Sequence, residues 1–304
     1  MRFFILVFLI GIQSLSAQIQ DTPKIAFSFD DGSTADMPGY SFEQWNELLL
    51  STVRKYQLET VLFSKGENKT TPKGKQLLES WDNAGQLIGN HTFSHTNFNH
   101  PAVSLAQFET DFLRNDSIIR GYKHFYPRFR FPYLKEGNTP EKVNGFRTFL
   151  NQQGYSNGHV SIDASDWYIN DRLIQRLKQQ PQASIEGYKN YYIQHLYNRA
   201  MYYDSLAIEV SGERIHHVLL LHHNLAAALF LDDLIDYFKS KGWEITSISE
   251  AYKDPFYQQV TTIIPAGESL VWSLAKQSGR LDKYLRYPAE DGDYEKAAMD
   301  SLGL

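Results

Sequence analysis

The sequence predicts an α/β fold with a mostly parallel sheet, open or closed into a barrel. Three observations predict it. Apolar, strand-like runs alternate with helix-spaced segments over the first two-thirds of the 304-residue chain. Glycines stand where several of the helical segments stop. Polar residues with chemical potential fall at the carboxyl ends of the strand-like runs, the face where parallel α/β sheets gather their active groups.

The elements follow in order. KIAFSFDDG (24–32) reads as a buried strand ending in a turn, and 41–56 has helical spacing. TVLFS (60–64) is a strand, Lys73 to Ala84 a helix closed by Gly85, and QLIGNH (86–91) the next strand. Leu105 to Tyr122 reads as a helix and RFRFPYL (128–134) as a strand broken by Pro132. Glu141 to Gln153 is helical with Gly154 as its stop, and HVSID (159–163) is short and β-like. HHVLLLHH (216–223) is a strongly apolar strand, 226–242 a helix with a Gly stop, and WEITSI (243–248) a last strand.

Two segments interrupt this rhythm. Residues 168–215 form a Tyr-rich insert in which Ile185, Tyr188, Tyr192, Leu196, Arg199, Tyr203 and Leu206 recur at three- and four-residue steps. That spacing argues one or two amphipathic helices, packed over the sheet or forming a cleft wall. Residues 255–304 form a C-terminal extension, read as a structural cap without visible chemistry.

Composition bounds the function classes. The hydrophobic fraction of 42% and charged fraction of 21% are those of a globular protein. A net charge of −5 leaves no basic footprint for nucleic acid. Residues 1–17 read as a signal peptide: Arg2, the apolar run FFILVFLIGI, then the small-residue exit SLSA. The apolar run is shorter than the roughly 20 residues a membrane span needs, so no span is expected after cleavage. An exported protein, periplasmic or extracellular, is the expectation. The chain has no cysteine, so it has no disulfides, and any metal site must use His, Asp and Glu. The 14% aromatic content suits a core before it suits sugar rings.

Two motifs point to chemistry. FSFDDG (27–32) places Asp30 and Asp31 at a Gly turn, and HTFSH (91–95) places His91 and His95 four residues apart. One carboxylate and two imidazoles make a three-ligand site with an open position, the arrangement of a catalytic zinc. The second carboxylate is left to act as a base on a water that the metal acidifies.

With RFPY (130–133), DASDW (163–167) and LLLHH (219–223), these motifs make five in a fixed order. In this the chain resembles the polysaccharide deacetylases, carbohydrate esterase family four, over roughly residues 24–250. The resemblance implies a distorted (β/α) barrel with the helical insert and C-terminal extension added to it. It also implies a single divalent metal and removal of N- or O-acetyl groups from sugars. By motif position Asp31, His91 and His95 would be the metal ligands, Asp30 the general base and His222 the general acid. Beside a cation, Asp30 would have a low pKa. An Asp often follows the acid in this family, and His223 stands there instead, leaving His222 or His223 as the acid. Arg130 and Asp166 would pair to orient the acid and base, with Asp163 as the alternative partner. The Tyr133 backbone N–H would hold the oxyanion, Pro132 would fix the chain before it, and Tyr133 and Trp167 would line the substrate groove. Asn90 and Thr92 would support the metal histidines.

The resulting expectation has residues 18–254 as the catalytic domain of a monomeric enzyme. It would act on acetylated oligo- or polysaccharides with Zn²⁺ and release acetate. Co²⁺, Mn²⁺ or Ni²⁺ suit the same ligands. The alternatives are a small-amide hydrolase on the same fold and a non-catalytic carbohydrate-binding relic. The loop after Gly32 and the insert would read the sugar.

Overall fold

The computed structural model describes residues 22–286 and 291–304. The predicted signal peptide, 1–17, lies outside them. Strand β1 (Lys24–Asp31) is followed by helix α1 (Phe42–Lys55), β2 (Val61–Ser64), α2 (Pro72–Asn83), β3 (Leu87–Asn90) and α3 (Leu105–Ile119). Next come β4 (Phe125–Phe129), a short 3₁₀ turn at Pro132–Leu134, β5 (Lys135–Gly137), α4 (Pro140–Gln152) and β6 (Ser156–Asn157). The insert forms α5 (Asp166–Gln179) and α6 (Glu186–Ser211). Then follow β7 (His216–His222), α7 (Leu225–Ser240), β8 (Glu244–Ile245) and α8 (Ile248–Ala251). The extension holds β9 (Ala266–Gly267), α9 (Leu270–Ser278) and α10 (Gly292–Ser301).

Among the described residues the main sheet has seven strands, ordered β6-β4-β3-β2-β1-β7, with β8 beside the start of β1. Every pairing in it is parallel. Helices with one apolar stripe cover it, so the central strands are apolar on both faces, as parallel strands must be. β1 shows this: Ile25, Ala26, Phe27 and Phe29 are all buried. The two sheet edges are bridged by one stretch of chain. β6 pairs with β4, while Ile162, a few residues on, pairs with Leu219 of β7. The sheet thereby curls into a half-barrel, in keeping with the distorted (β/α) barrel that the resemblance implies.

Four expectations change in detail. The strand expected at 128–134 ends at Phe129, because Pro132 opens a 3₁₀ turn. HVSID supplies a single bridge rather than a strand. WEITSI keeps two paired residues before Ser247 caps α8 by accepting the Glu250 N–H. The helix expected to reach Tyr122 ends at Ile119. In the insert, α6 buries Tyr188, Tyr192, Leu196, Tyr203 and Leu206, as their spacing predicts. The aromatic content is largely core. Phe98, Phe108, Phe129, Phe131 and Phe146 form one buried cluster, with Phe98 stacked on Phe108 at 4.1 Å.

Register positions the site. Asp30 lies beside His222 across β1 and β7, Asp31 beside Ser64, Ser64 beside Asn90, and Asn90 beside Phe129. The residues that follow these strand ends, His91 and Arg130 among them, therefore emerge in one row at the carboxyl edge.

Candidate active site

At that edge lies a cleft of about 1000 Å³ lined by Asp30, Asp31, His91, His95, Tyr133, Asp163, Trp167, His222 and His223. Backbone strain is concentrated here. Among the described residues, eight non-glycine residues have positive φ, and six of them line the cleft: Asp31, Asn68, His95, Tyr133, Leu134 and Glu268. Such conformations persist only where the surrounding structure over-determines them.

The structure brings Asp31, His91 and His95 together, with their ligand atoms all within 4.8 Å of one another. Asp31 Oδ1 is 3.3 Å from His95 Nε2 and 3.8 Å from His91 Nε2. It is also a buried atom with no hydrogen-bond partner. A buried, unpaired carboxylate oxygen facing two imidazole nitrogens is what a divalent cation satisfies. His91 Nδ1 donates to the Arg130 carbonyl at 2.7 Å, which leaves the Nε2 lone pair facing the site. Burial lowers the pKa of both His91 and His95 to about 4, so each ring is neutral near pH 7, the ligating form. Burial works to raise Asp31, but His222, His95 and His91 outweigh it and hold the carboxyl at about 2. This donor set fits the predicted metal. No helix among the described residues is long and apolar enough to cross a membrane.

His91 and His95 are not on a helix despite their spacing. The loop is bent by left-handed Thr92 and His95, with φ of 60° and 56°. Asn90 and Thr92 shape this backbone and do not touch the rings. Asn90 Oδ1 accepts the Thr92 N–H at 2.9 Å, and Thr92 Oγ1 accepts the His95 N–H at 3.0 Å. Asn115 fixes Asn90 in turn, donating to its Oδ1 at 2.9 Å and to the Ser64 carbonyl at 2.7 Å.

The expected Arg130–Asp166 pair does not form. Arg130 is buried and donates to both oxygens of Asp30 at 3.0 and 3.3 Å, to Ser28 Oγ at 3.1 Å and to the Gly158 carbonyl. Asp166, on the far side of the cleft, takes His222 instead. The reason is register: β1 separates the two groups, so each reaches the partner on its own side. The guanidinium sits 4.3 Å over the Phe63 ring. Gly89 and Gly158 make room for that ring, since a Cβ on either would come within 2.5–2.6 Å of it. Tyr252, which belongs to none of the five motifs, lies 3.4 Å from Arg130 through its hydroxyl. It stands far from every motif, and no local pattern marks it.

Burial raises the Asp30 pKa, with the Arg130 guanidinium opposing it. A cation on Asp31, His91 and His95 would add to Arg130 in pulling it down.

The two adjacent histidines separate cleanly, because successive strand residues face opposite ways. His222 Nδ1 meets Asp166 Oδ1 at 2.7 Å, and its own N–H donates to Asp166 Oδ2 at 2.9 Å. Burial works against a charged ring here, but the Asp166 carboxylate overcomes it and lifts the His222 pKa to about 10. His223 is buried, 4.4 Å from the Trp45 ring and 5.6 Å from Trp81, with Nε2 3.0 Å from Asn46 Oδ1. Burial drops its pKa to about 3.

Tyr133 follows Pro132 in the 3₁₀ turn with φ 57°, and its exposed ring lies 4.6 Å from His95. Trp167 is 41% exposed on the cleft wall, joined there by Asn170, Asp171 and Ile174 of α5. Asp163 lines the cleft as well. Of the insert, α5 reaches the cleft and α6 does not. The extension, expected as a structural cap without visible chemistry, reaches it through Glu268 and Asp291. Three further histidines pair with groups away from the cleft. His124 meets Asp82 at 3.0 Å, His195 meets Glu295 at 3.2 Å, and buried His217 bridges Ser161 and Asp204.

Comparison with known proteins finds likenesses of domain and fold. Residues 17–154 match the polysaccharide deacetylase family model. A peptidoglycan-N-acetylglucosamine deacetylase of Bacillus cereus is 25% identical over 145 residues, which is 47% of this chain and 46% of that protein. The match thus spans under half of the relative's length. Among solved structures, a peptidoglycan N-acetylglucosamine deacetylase in complex with a substituted N-oxidanyl-benzamide superposes with a TM-score of 0.52 at 18% identity. That match covers 77% of this chain and 89% of the other. A CE4 family pseudoenzyme from Bacillus anthracis gives the same TM-score at 14% identity, covering 76% and 66%. These structural likenesses bear on the fold. Residues 17–154 thus match a polysaccharide deacetylase domain, and the chain shares the fold of a solved peptidoglycan N-acetylglucosamine deacetylase.

Proposed function

We propose that this protein is an exported, metal-dependent deacetylase of acetylated carbohydrate, releasing acetate from an N-acetylated or O-acetylated oligo- or polysaccharide. Residues 18–254 form its catalytic domain. The observation that carries the reading is the unpartnered, buried Asp31 Oδ1 between two imidazole nitrogens, flanked on one side by a fixed carboxylate and on the other by a fixed imidazole.

Asp31, His91 and His95 would hold the divalent cation, Zn²⁺ first among those that suit the set. When bound, the cation supplies Lewis acidity to the acetyl carbonyl and lowers the pKa of water. Asp30, locked by Arg130, takes the proton of the attacking water on one side of the reacting carbon. The Tyr133 N–H holds the developing negative charge on the carbonyl oxygen. His222 gives its Nε2 proton to the leaving nitrogen or oxygen, while its Nδ1–H stays hydrogen-bonded to the Asp166 carboxylate and keeps the ring oriented. Tyr133 and Trp167 present exposed ring faces to the sugar.

The sugar class is read from the relatives. The Bacillus cereus protein is named for peptidoglycan N-acetylglucosamine, so N-acetylglucosamine polymers come first and acetylated xylan second.

The test is acetate release by the purified mature protein, with and without Zn²⁺ or Co²⁺. N-acetylglucosamine oligomers, peptidoglycan and acetylated xylan are compared, with Asp30→Asn as control. Metal-dependent release lost in the variant supports the reading. Metal binding without release from any sugar would overturn it in favour of a small-amide hydrolase or a carbohydrate-binding relic.

A further inference from the structure

The turn that carries Tyr133 is held from outside the family-matched stretch of residues 17–154. Tyr133 and Leu134 are consecutive left-handed residues, with φ of 57° and 54°. Non-glycine residues avoid that region, so two in a row need an external restraint. The restraint is β9. Lys135 of β5 pairs antiparallel with Gly267, and Gly137 with Ala266, as a separate two-stranded sheet. The Glu268 N–H donates to the Leu134 carbonyl at 3.0 Å, and Lys135 Nζ meets the Glu268 carboxylate.

Gly267 is where the two backbones touch. A Cβ there would overlap the Leu134 carbonyl oxygen and lie 3.2 Å from the Glu136 nitrogen, and its φ of 133° suits glycine. The far side of β9 is anchored as firmly. Ser273 Oγ donates to the Gly267 carbonyl, and the Leu270 N–H donates to the Val160 carbonyl at 2.8 Å. Helix α9 then buries Leu270, Val271 and Ala275 in the main core.

We propose that Gly267 and Glu268 are positioning residues for the Tyr133 N–H, so that the C-terminal extension clamps the oxyanion-holding turn of the active site. This inference rests on the deacetylase reading above. It gives β9 of the extension a part in positioning the active-site turn, which a cap would not have. The chemical logic is that an oxyanion donor is effective only when its direction is fixed before reaction.

The experiment compares Gly267→Ala, Ser273→Ala and Gly279→Ala in the full Zn²⁺-loaded chain, with an N-acetylglucosamine oligomer as substrate. Gly279 ends α9 with φ 67° and open space around it, so Gly279→Ala strains the extension away from the turn. Gly267→Ala is expected to lower kcat about tenfold or more, since loss of one oxyanion donor costs about 10²–10³-fold. Ser273→Ala is expected to lower it a few-fold. KM and Zn²⁺ affinity by chelator competition stay within about threefold. Backbone hydrogen exchange of peptide 131–137 speeds up in both variants and not in Gly279→Ala. Should Gly267→Ala fail to fold, Ser273→Ala decides the matter on the same readouts. Full kcat with unaltered exchange in the folded variant would overturn the proposal. So would an equal loss of kcat in Gly279→Ala, which would make the extension a stabiliser only. If the wild type releases acetate from no sugar, the deacetylase reading itself fails, and exchange alone then judges the clamp.

Discussion

Asp166 holds His222 twice, through the ring Nδ1 at 2.7 Å and through the backbone N–H at 2.9 Å. One carboxylate therefore sets both where the imidazole sits and which nitrogen faces the cleft. It also raises the pKa of the ring, because the charged form is bonded and compensated.

Replacing Asp166 with Asn should move the alkaline limb of activity. His222 is lifted to about 10, so the protonated acid is present below that value and lost as pH rises through it. Without the carboxylate the pKa falls toward the ordinary 6.5, and the limb moves down with it. A pH profile of kcat for Asp166→Asn checks this, and an unmoved limb would refute it.

His222 and His223 should respond oppositely to substitution. His222→Gln should cost about 10²–10⁴-fold in rate with the fold intact. His223→Leu should leave the turnover of folded molecules near normal and cost about 1–3 kcal/mol of stability for an imperfect fit in the core. Asn46 Oδ1 keeps a partner in that variant, because Trp81 Nε1 donates to it at 3.0 Å. Kinetics beside urea unfolding separates the two outcomes.

Asp30 should matter to stability as well as rate. It is the ionic partner of buried Arg130. Asp30→Ala strands that guanidinium and should destabilise the protein by about 3–5 kcal/mol. Asp30→Asn keeps an acceptor oxygen and should cost less, while losing about 10²–10⁴-fold in rate. Equal stability of the two variants would count against a structural role for the pair.

Low pH should loosen the C-terminal helix. Buried Glu295 accepts from Arg286 at 2.9 Å and Tyr191 at 3.1 Å, and meets His195 at 3.2 Å. Burial alone would raise its pKa, but His195 and Arg286 hold it at about 2. A depressed carboxyl stabilises the fold above its ordinary value of 4.5, and that stabilisation is lost as pH falls from 4.5 toward 2. The loss should be on the order of 2 kcal/mol. Thermal unfolding against pH checks it, with Glu295→Gln expected to flatten the acid limb.

Much of the site was legible because its residues are tied to strand ends. Asp30, Asp31, His91, His95 and His222 each follow an apolar run that must end at the carboxyl edge of a parallel sheet, so order along the chain predicts one shared face. The alternation of apolar runs and helical spacing gave the sheet for the same reason: each pattern is a local demand for burial on one side. The strained turn at Tyr133 was visible only as Pro132 before an aromatic residue.

Pairing across the cleft was a different matter. Nothing local says that Arg130 reaches Asp30 rather than Asp166, that Trp45, Trp81 and Asn46 enclose His223, or that Gly267 supports Leu134. Those contacts join residues separated by 100 positions or more, and each exists because sheet register and helix docking place one backbone against another. The sequence by itself determined the parallel α/β layering, the metal-type donor set and its edge of the sheet, because these follow from side-chain type and periodicity. Only the tertiary structure decided which histidine Asp166 holds, which partner Arg130 takes, and that the extension braces the active-site turn, because each depends on distances that no local pattern encodes.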